Sequence, residues 1–340
     1  MRFKMAIIFF GLVASGALFL FYERAVNAPG PLGQEITVEI KVGESVGTVI
    51  NNFKIAGVLT NPWLAQLYFW HRAVGRHLQA GSYRLPAGTS LVRLVKILQT
   101  KPVPRRTATV LITEGLTADV INDRLKSAQI ITDDSFWRLV RAKRSSLPAA
   151  IAELEIVKQW PEQATLEGLL FPDTYNFYQG ETGETVLLAM LANFQKQWQQ
   201  AKPAALKASK LNLFQIVTLA SIVQREVASA KDMSLVAGVF YNRLGENRPL
   251  ESCATLAYVL GINKAQYNQE DTETPSLYNT YLHSGLPPGP IGNPGWQAIA
   301  AVLEPTKSDY LYFLTRSDNG QTIFAKSLPE HNLNRAKYLD

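Results

Sequence analysis

The chain has a single cysteine, Cys253, in 340 residues, which excludes an intramolecular disulfide framework and any structural zinc site built on paired thiolates. Histidine is almost as scarce. His71, His77, His283 and His331 are scattered, and neither a His-Glu-x-x-His signature nor a Gly-rich phosphate loop occurs, so no metal or organic cofactor is implied. No run of five or more like charges appears, and the 34 Lys and Arg exceed the 28 Asp and Glu only mildly. A nucleic-acid-binding arm is therefore not indicated. At 47% hydrophobic and 18% charged, the chain is too apolar for disorder and long enough for two packed cores.

One long apolar run is present. Met5 to Tyr22 carries no charge, and as a helix it reaches roughly 27 Å, close to the thickness of a bilayer core. Arg2 and Lys4 precede it, while Glu23 and Arg24 follow and cancel. The positive-inside bias keeps the amino terminus cytoplasmic and sends the body outward, with residues 5–22 in the lipid bilayer. A cleaved signal peptide is the alternative, since Val26-Asn27-Ala28 loosely matches a small-x-small site, but Pro29 would follow the cut. The expected organisation is a transmembrane anchor over 1–24, a Pro- and Gly-containing linker over 25–35, a small domain over 36–103 and a larger one over 104–340. The expected fold class is α+β.

Ile36 to Val42 alternates apolar and polar residues as a strand does, and Ser45 caps a helix through Phe53. Asn61 and Pro62 open a second helix carrying Trp63, Leu64, Leu67, Tyr68 and Trp70, and Gly81 to Leu85 reads as a returning strand. A further helix has Leu91, Leu94, Val95 and Leu98 on one stripe, before Lys101-Pro-Val-Pro-Arg-Arg106 breaks the pattern. This strand, helix, helix, strand order resembles a LysM module, whose family binds N-acetylglucosamine-containing glycans. The alternative is a unit that only spaces the larger domain from the membrane.

In the larger domain Thr107 to Thr113 reads as a strand, Thr117 as the cap of a helix through Leu125, and further helices are expected over 135–142 and 184–201. Tyr310 to Leu314 and Thr322 to Phe324 flank Asp318-Asn319-Gly320, a hairpin signal. The informative segment is Leu211 to Ala230. Leu213, Ile216, Ala220, Val223 and Val227 recur at the spacing of one helical face, so this helix is expected to be largely buried. Glu226 follows Val223, Ile222 and Leu219 by three, four and seven residues, which places its carboxyl at the edge of the apolar stripe. Desolvation there raises its pKa, and a glutamic acid protonated near neutral pH can supply the proton that a departing sugar oxygen needs. A surface ion pair with Arg225, Arg243 or Lys231 is the alternative role.

Four segments then occur in order: Ala220-Ser-Ile-Val-Gln-Arg-Glu226, Val239-Phe-Tyr-Asn-Arg-Leu244, Pro275-Ser-Leu-Tyr-Asn-Thr-Tyr281 and Gly285-Leu-Pro-Pro-Gly-Pro-Ile-Gly-Asn-Pro-Gly295. With Glu114-Gly115-Leu116 and Leu166-Glu-Gly-Leu-Leu-Phe-Pro-Asp-Thr-Tyr175, they resemble the YceG-like endolytic murein transglycosylases, the MltG family, over nearly the whole chain. In that family the second acidic position of Ser-Ile-x-Glu-x-Glu is catalytic and corresponds to Glu226. The first is Gln224 here, which cannot titrate. In Leu250-Glu-Ser-Cys-Ala-Thr255, Cys253 stands where relatives frequently carry an acidic residue, and nothing near it in sequence activates it as a nucleophile.

The resemblance implies a membrane-anchored lyase of the cell inner membrane that acts outside the cytoplasm on peptidoglycan strands. It further implies a place beside membrane-bound peptidoglycan synthases and a product ending in 1,6-anhydromuramic acid. Hydrolytic glycosidases generally use two carboxylates, whereas lytic transglycosylases need one. Gln224, Asn242, Tyr278, Asn279, Tyr281 and Asn293 are the expected substrate contacts, Asn293 on a stiff Pro- and Gly-rich wall of the cleft. Asp173 and Thr174 read first as turn formers. Two other classes stay in view: a glycan-binding scaffold without catalysis, and a peptidase, for which no ligand or nucleophile constellation is evident.

Overall fold

The computed structural model describes residues 2–339 apart from 41–42, 77, 104–105, 201–208, 265 and 317, with 2–12, 14 and 76 described by backbone alone. Two compact units result, Met1–Arg106 and Thr107–Asp340.

The first unit begins with helix α1 (Arg2–Asn27). Among the described residues no helix is long and apolar enough to cross a membrane. Half of the side chains of the expected membrane segment, those of 5–12 and 14, lie outside the described residues. The part that follows is apolar and open: Leu18, Phe19, Leu20 and Phe21 are between 61% and 72% exposed. The last turns of α1 join a core, with Val26 buried and the Tyr22 ring 6.4 Å from that of Tyr68.

Strands β1 (Ile36–Ile40) and β2 (Gly81–Leu85) pair antiparallel, Ile36 opposite Leu85 and Ile40 opposite Gly81. The remaining residues of the expected first strand, 41–42, lie outside the described residues. Between the strands run α2 (Val46–Ile55) and α3 (Pro62–His71). Each starts where a side chain satisfies an orphan amide: Ser45 Oγ accepts from Thr48 N at 3.2 Å and Asn61 Oδ1 from Leu64 N at 3.1 Å. Helix α4 (Leu91–Leu98) buries the stripe Leu91, Leu94, Val95 and Leu98. These join Ile50, Phe53, Phe69, Tyr83 and Leu85 in one core.

The second unit is mostly helical around two antiparallel ribbons. β3 (Thr107–Ile112) pairs with β4 (Asp173–Tyr178), and β5 (Tyr312–Thr315) with β6 (Thr322–Ala325). β4 corrects the turn reading of Asp173 and Thr174: they lie opposite Ile112 and Leu111. The alternation of buried Tyr175 and Phe177 with exposed neighbours outweighs the local turn preference.

Between and after the strands of the first ribbon come α5 (Ala118–Ser127), which packs on β3, α6 (Ser135–Val140), the single turns α7 (Ala149–Ala152) and α8 (Glu155–Lys158), and α9 (Gly183–Gln199), which packs on α6. Position 201, the expected end of α9, lies outside the described residues. Then follow α10 (Leu213–Glu226), α11 (Ala230–Gly245), α12 (Cys253–Leu260), the short α13 (Gln269–Thr272), α14 (Trp296–Leu303) and α15 (Leu328–Tyr338).

One correction positions the site. The expected helix over 211–230 is two helices. α10 stops at Glu226, Val227 is extended at φ −145° and ψ 151°, and Ser229 caps α11 by accepting from Asp232 N at 3.1 Å. Val227 is still buried, but not as part of a continuing helical face.

Candidate active site

α10 is fixed at both ends. Asn212 and Gln215 form a reciprocal capping box at its start, and nine of its residues from Leu213 to Val223 are buried. Its last residue, Glu226, is half-buried and emerges against the first turn of α12. There Glu226 Oε1 accepts from the Ser252 hydroxyl and, at 3.2 Å, from Ala254 N. Ser252 is the N-cap residue of α12, yet its side chain makes no cap bond to that helix. The Glu226 carboxyl takes one of the orphan amides instead.

Burial raises the Glu226 pKa, while the bonds from Ser252 and Ala254 and the charge of Arg225 pull the other way; the net shift is upward. Its position at the carbonyl end of α10 acts in the same direction as burial. The ion-pair alternative does not hold for the two arginines. Arg225 bonds to Ile291 O at 3.2 Å and Asn263 Oδ1 at 3.5 Å, and Arg243 to Leu311 O, Pro249 O, Leu250 O and Glu251 Oε2.

Across from the acid, Tyr281 Oη lies 3.3 Å from Cys253 Sγ. Burial, the thiol and the Glu226 charge all push the Tyr281 phenol upward, so it is a neutral hydrogen-bonding group. Burial of the sulfur against Tyr281 likewise raises the Cys253 thiol. Tyr278 stacks at a 47° tilt on Tyr258, ring centroids 5.1 Å apart.

Of the other expected contacts, the asparagines and Gln224 hydrogen-bond within the protein. Asn279 has no exposed surface; it donates to Thr272 O and Thr274 O at 2.9 and 2.8 Å and accepts from Tyr281 N at 3.0 Å, which sets the loop carrying both tyrosines. Asn242 donates to Ser308 O and Tyr310 O at 2.8 and 2.9 Å. Gln224 accepts from Gly295 N at 2.9 Å and donates to Glu114 Oε2 at 3.2 Å. A glutamate at 224 would set two carboxylates against each other there.

Asn293 is fully buried, as is most of the loop around it, so the stiff loop expected beside a cleft clamps the interior through this side chain. Its Oδ1 accepts from Gly168 N and Leu170 N at 2.8 and 2.9 Å, and its Nδ2 donates to Leu116 O and Glu167 Oε1 at 2.9 and 2.6 Å. Gly168 has φ +94°, and a Cβ there would stand 2.6 Å from Pro290, which accounts for glycine at this point of the motif.

Sequence reasoning missed Ser252, Tyr258 and Glu167 as members of this region. Glu167 stood inside a quoted motif, but nothing in sequence placed it under Asn293. Ala118 N donates to both its oxygens at 3.0 Å; burial nevertheless pushes it up to about 7. Because this is above its unfolded value, Glu167 favours the folded state at low pH, and that contribution is lost as pH rises from about 4.5 to about 7. The difference in unfolding free energy between the parent and Glu167→Gln should change by roughly 3 kcal/mol across that window. Denaturant titrations at several pH values read it, and parallel curves for the two proteins would rule it out.

The sequence profile of the YceG-like family matches residues 38–337. A protein of Bacillus subtilis (strain 168) named endolytic murein transglycosylase is 31% identical over 345 residues, 95% of this chain and 91% of its own length. A protein of the same name from Streptococcus pneumoniae serotype 2 is 30% identical over 98% of this chain and 64% of its own length. The 2.6 Å crystal structure of a yceG-like protein from Listeria monocytogenes matches with a TM-score of 0.54 and 31% identity, over 89% of this chain and 99% of the other.

Proposed function

The chain belongs to the YceG-like family, and from that membership we propose that it is an endolytic lytic transglycosylase of peptidoglycan. It cleaves the β-1,4 bond between N-acetylmuramic acid and N-acetylglucosamine within a strand. The observation that carries this reading is the setting of Glu226: a half-buried carboxyl with raised proton affinity, held on one oxygen by two donors.

In the first step protonated Glu226 gives its proton to the bridging oxygen as the bond from C1 to that oxygen breaks. In the second, the carboxylate takes the proton of the muramoyl C6 hydroxyl as that oxygen closes onto C1. The acid is regenerated, no water is consumed, and the strand ends in a 1,6-anhydro ring. Tyr278, Tyr281 and the Tyr258 ring supply apolar faces and hydroxyl groups of the kind that bind sugars. Asn279 holds the loop that carries Tyr278 and Tyr281 in place.

In this reading residues 5–22 anchor the chain in the inner membrane with the catalytic unit outside the cytoplasm, because exposed apolar side chains such as Leu18 to Phe21 are stable in lipid and not in water. The βααβ unit is LysM-like, and the enzyme acts on nascent strands beside membrane-bound synthases, ending their elongation. Full-length protein in detergent, given long uncrosslinked glycan strands, is expected to produce fragments of intermediate length. Disaccharides alone would rule out internal cutting, and intact strands in the presence of folded protein would leave only a glycan-binding scaffold.

A further inference from the structure

Ser252 sits in a closed ring of buried hydrogen bonds. Its N–H donates to Thr280 Oγ1 at 3.0 Å, the Thr255 hydroxyl donates to Ser252 O at 2.8 Å, and the two threonine hydroxyls meet at 2.8 Å. Since Thr255 spends its proton on Ser252 O, Thr280 is the donor in the last bond, and every polar group of the ring is used. Ser252, Thr255 and Thr280 are at most 2% exposed. The one proton left over is that of the Ser252 hydroxyl, and it goes to Glu226 Oε1.

Ala254 N also donates to Oε1, so this oxygen is occupied by two donors whether or not the acid is charged. The acidic proton is therefore carried by Oε2, which leaves it outward for transfer. We propose that Ser252 is a positioning residue for the acid: with Ala254 N it reserves Oε1, forces the transferable proton onto Oε2, and stabilises the carboxylate left after transfer. Thr280 adjoins Tyr281, so the same ring ties the tyrosine loop to the acid. This inference rests on the reading of Glu226 given above.

The groups that bear on Glu226 electrostatically are Arg225 on its own helix, Cys253 on α12 and Tyr281 on the facing loop; none changes in a Ser252 variant. Losing a hydrogen bond to the charged form makes the acid hold its proton more tightly. In Ser252→Ala the fall of activity with rising pH is expected to move upward by roughly one unit, with a slower plateau. Ser252→Thr restores the parent profile, and Ser252→Cys, a weaker donor of similar size, falls between.

The test is the pH profile of single-turnover strand cleavage by the full chain, alongside an infrared titration of the Glu226 carboxyl identified by difference against Glu226→Gln. An upward shift in both for Ser252→Ala, reversed in Ser252→Thr, supports the proposal. Unshifted curves in folded Ser252→Ala or Ser252→Cys overturn it while leaving the enzyme reading intact. A shifted infrared titration in a protein that cleaves no glycan sustains the positioning role and overturns the proposed reaction.

Discussion

Glu226→Gln is expected to lose strand cleavage by about 10²–10⁴-fold or more while melting close to the parent temperature. The amide oxygen of Gln can still accept from Ser252 and Ala254, which donate to this side chain in the parent. What disappears is the transferable proton. A variant that unfolds would mean the carboxyl is a structural cap for α12, and one that keeps its rate would place the chemistry elsewhere.

Asn293→Ala is expected to have the largest effect on stability. The substitution removes the acceptor of two amides, Gly168 N and Leu170 N, and a donor to Glu167 and Leu116 O, all in a buried clamp. Leaving buried groups unpaired costs about 1–3 kcal/mol each, so a loss of roughly 4 kcal/mol follows, or about 10 °C in melting temperature for a unit of this size. Asn293→Asp goes further, because it sets a second carboxylate against Glu167. Its deficit should be larger at pH 8 than at pH 5, since Glu167 with a pKa of about 7 is protonated at the lower value. Calorimetry at the two pH values decides; a change under 1 kcal/mol, equal at both, would show that the loop relaxes around the lost side chain.

The acid helix was legible because its apolar residues follow one helical period and Glu226 lies at the edge of that stripe. Its end was not legible. Val227 and Ala230 prolong the period, and the break depends on Ser229 capping α11, a local choice that competes with an uninterrupted helix. The strand-helix-helix-strand unit was readable from Ser45 and Asn61, whose side chains do cap their helices. In the α+β second unit, β4 stayed hidden behind Asp173 and Thr174, residues that favour turns in isolation but lie opposite β3 across 61 or more positions of chain.

The same limit applies to the site. Tyr278 and Tyr281 were identified from a motif, and their neighbours followed from nothing local. Polar residues in a recognised motif read as ligands until burial is known. Asn279 and Asn293 are fully buried and committed to backbone groups, so their place in the motif reflects the need to hold loops rigid around the acid. Ser252 and Glu167 were missed for a related reason: each acts on a group 26 or more positions away in sequence.

In the proposed reaction Glu226 serves first as acid and then as base, with the muramoyl C6 hydroxyl as the nucleophile. Mass spectrometry of purified sacculi digested by the full chain, in water labelled with oxygen-18, tests it most directly. The expected products carry 1,6-anhydromuramoyl ends without label, absent from the Glu226→Gln digest. Reducing muramic ends carrying the heavy isotope would contradict it and would mean that water, not the C6 hydroxyl, attacks the sugar.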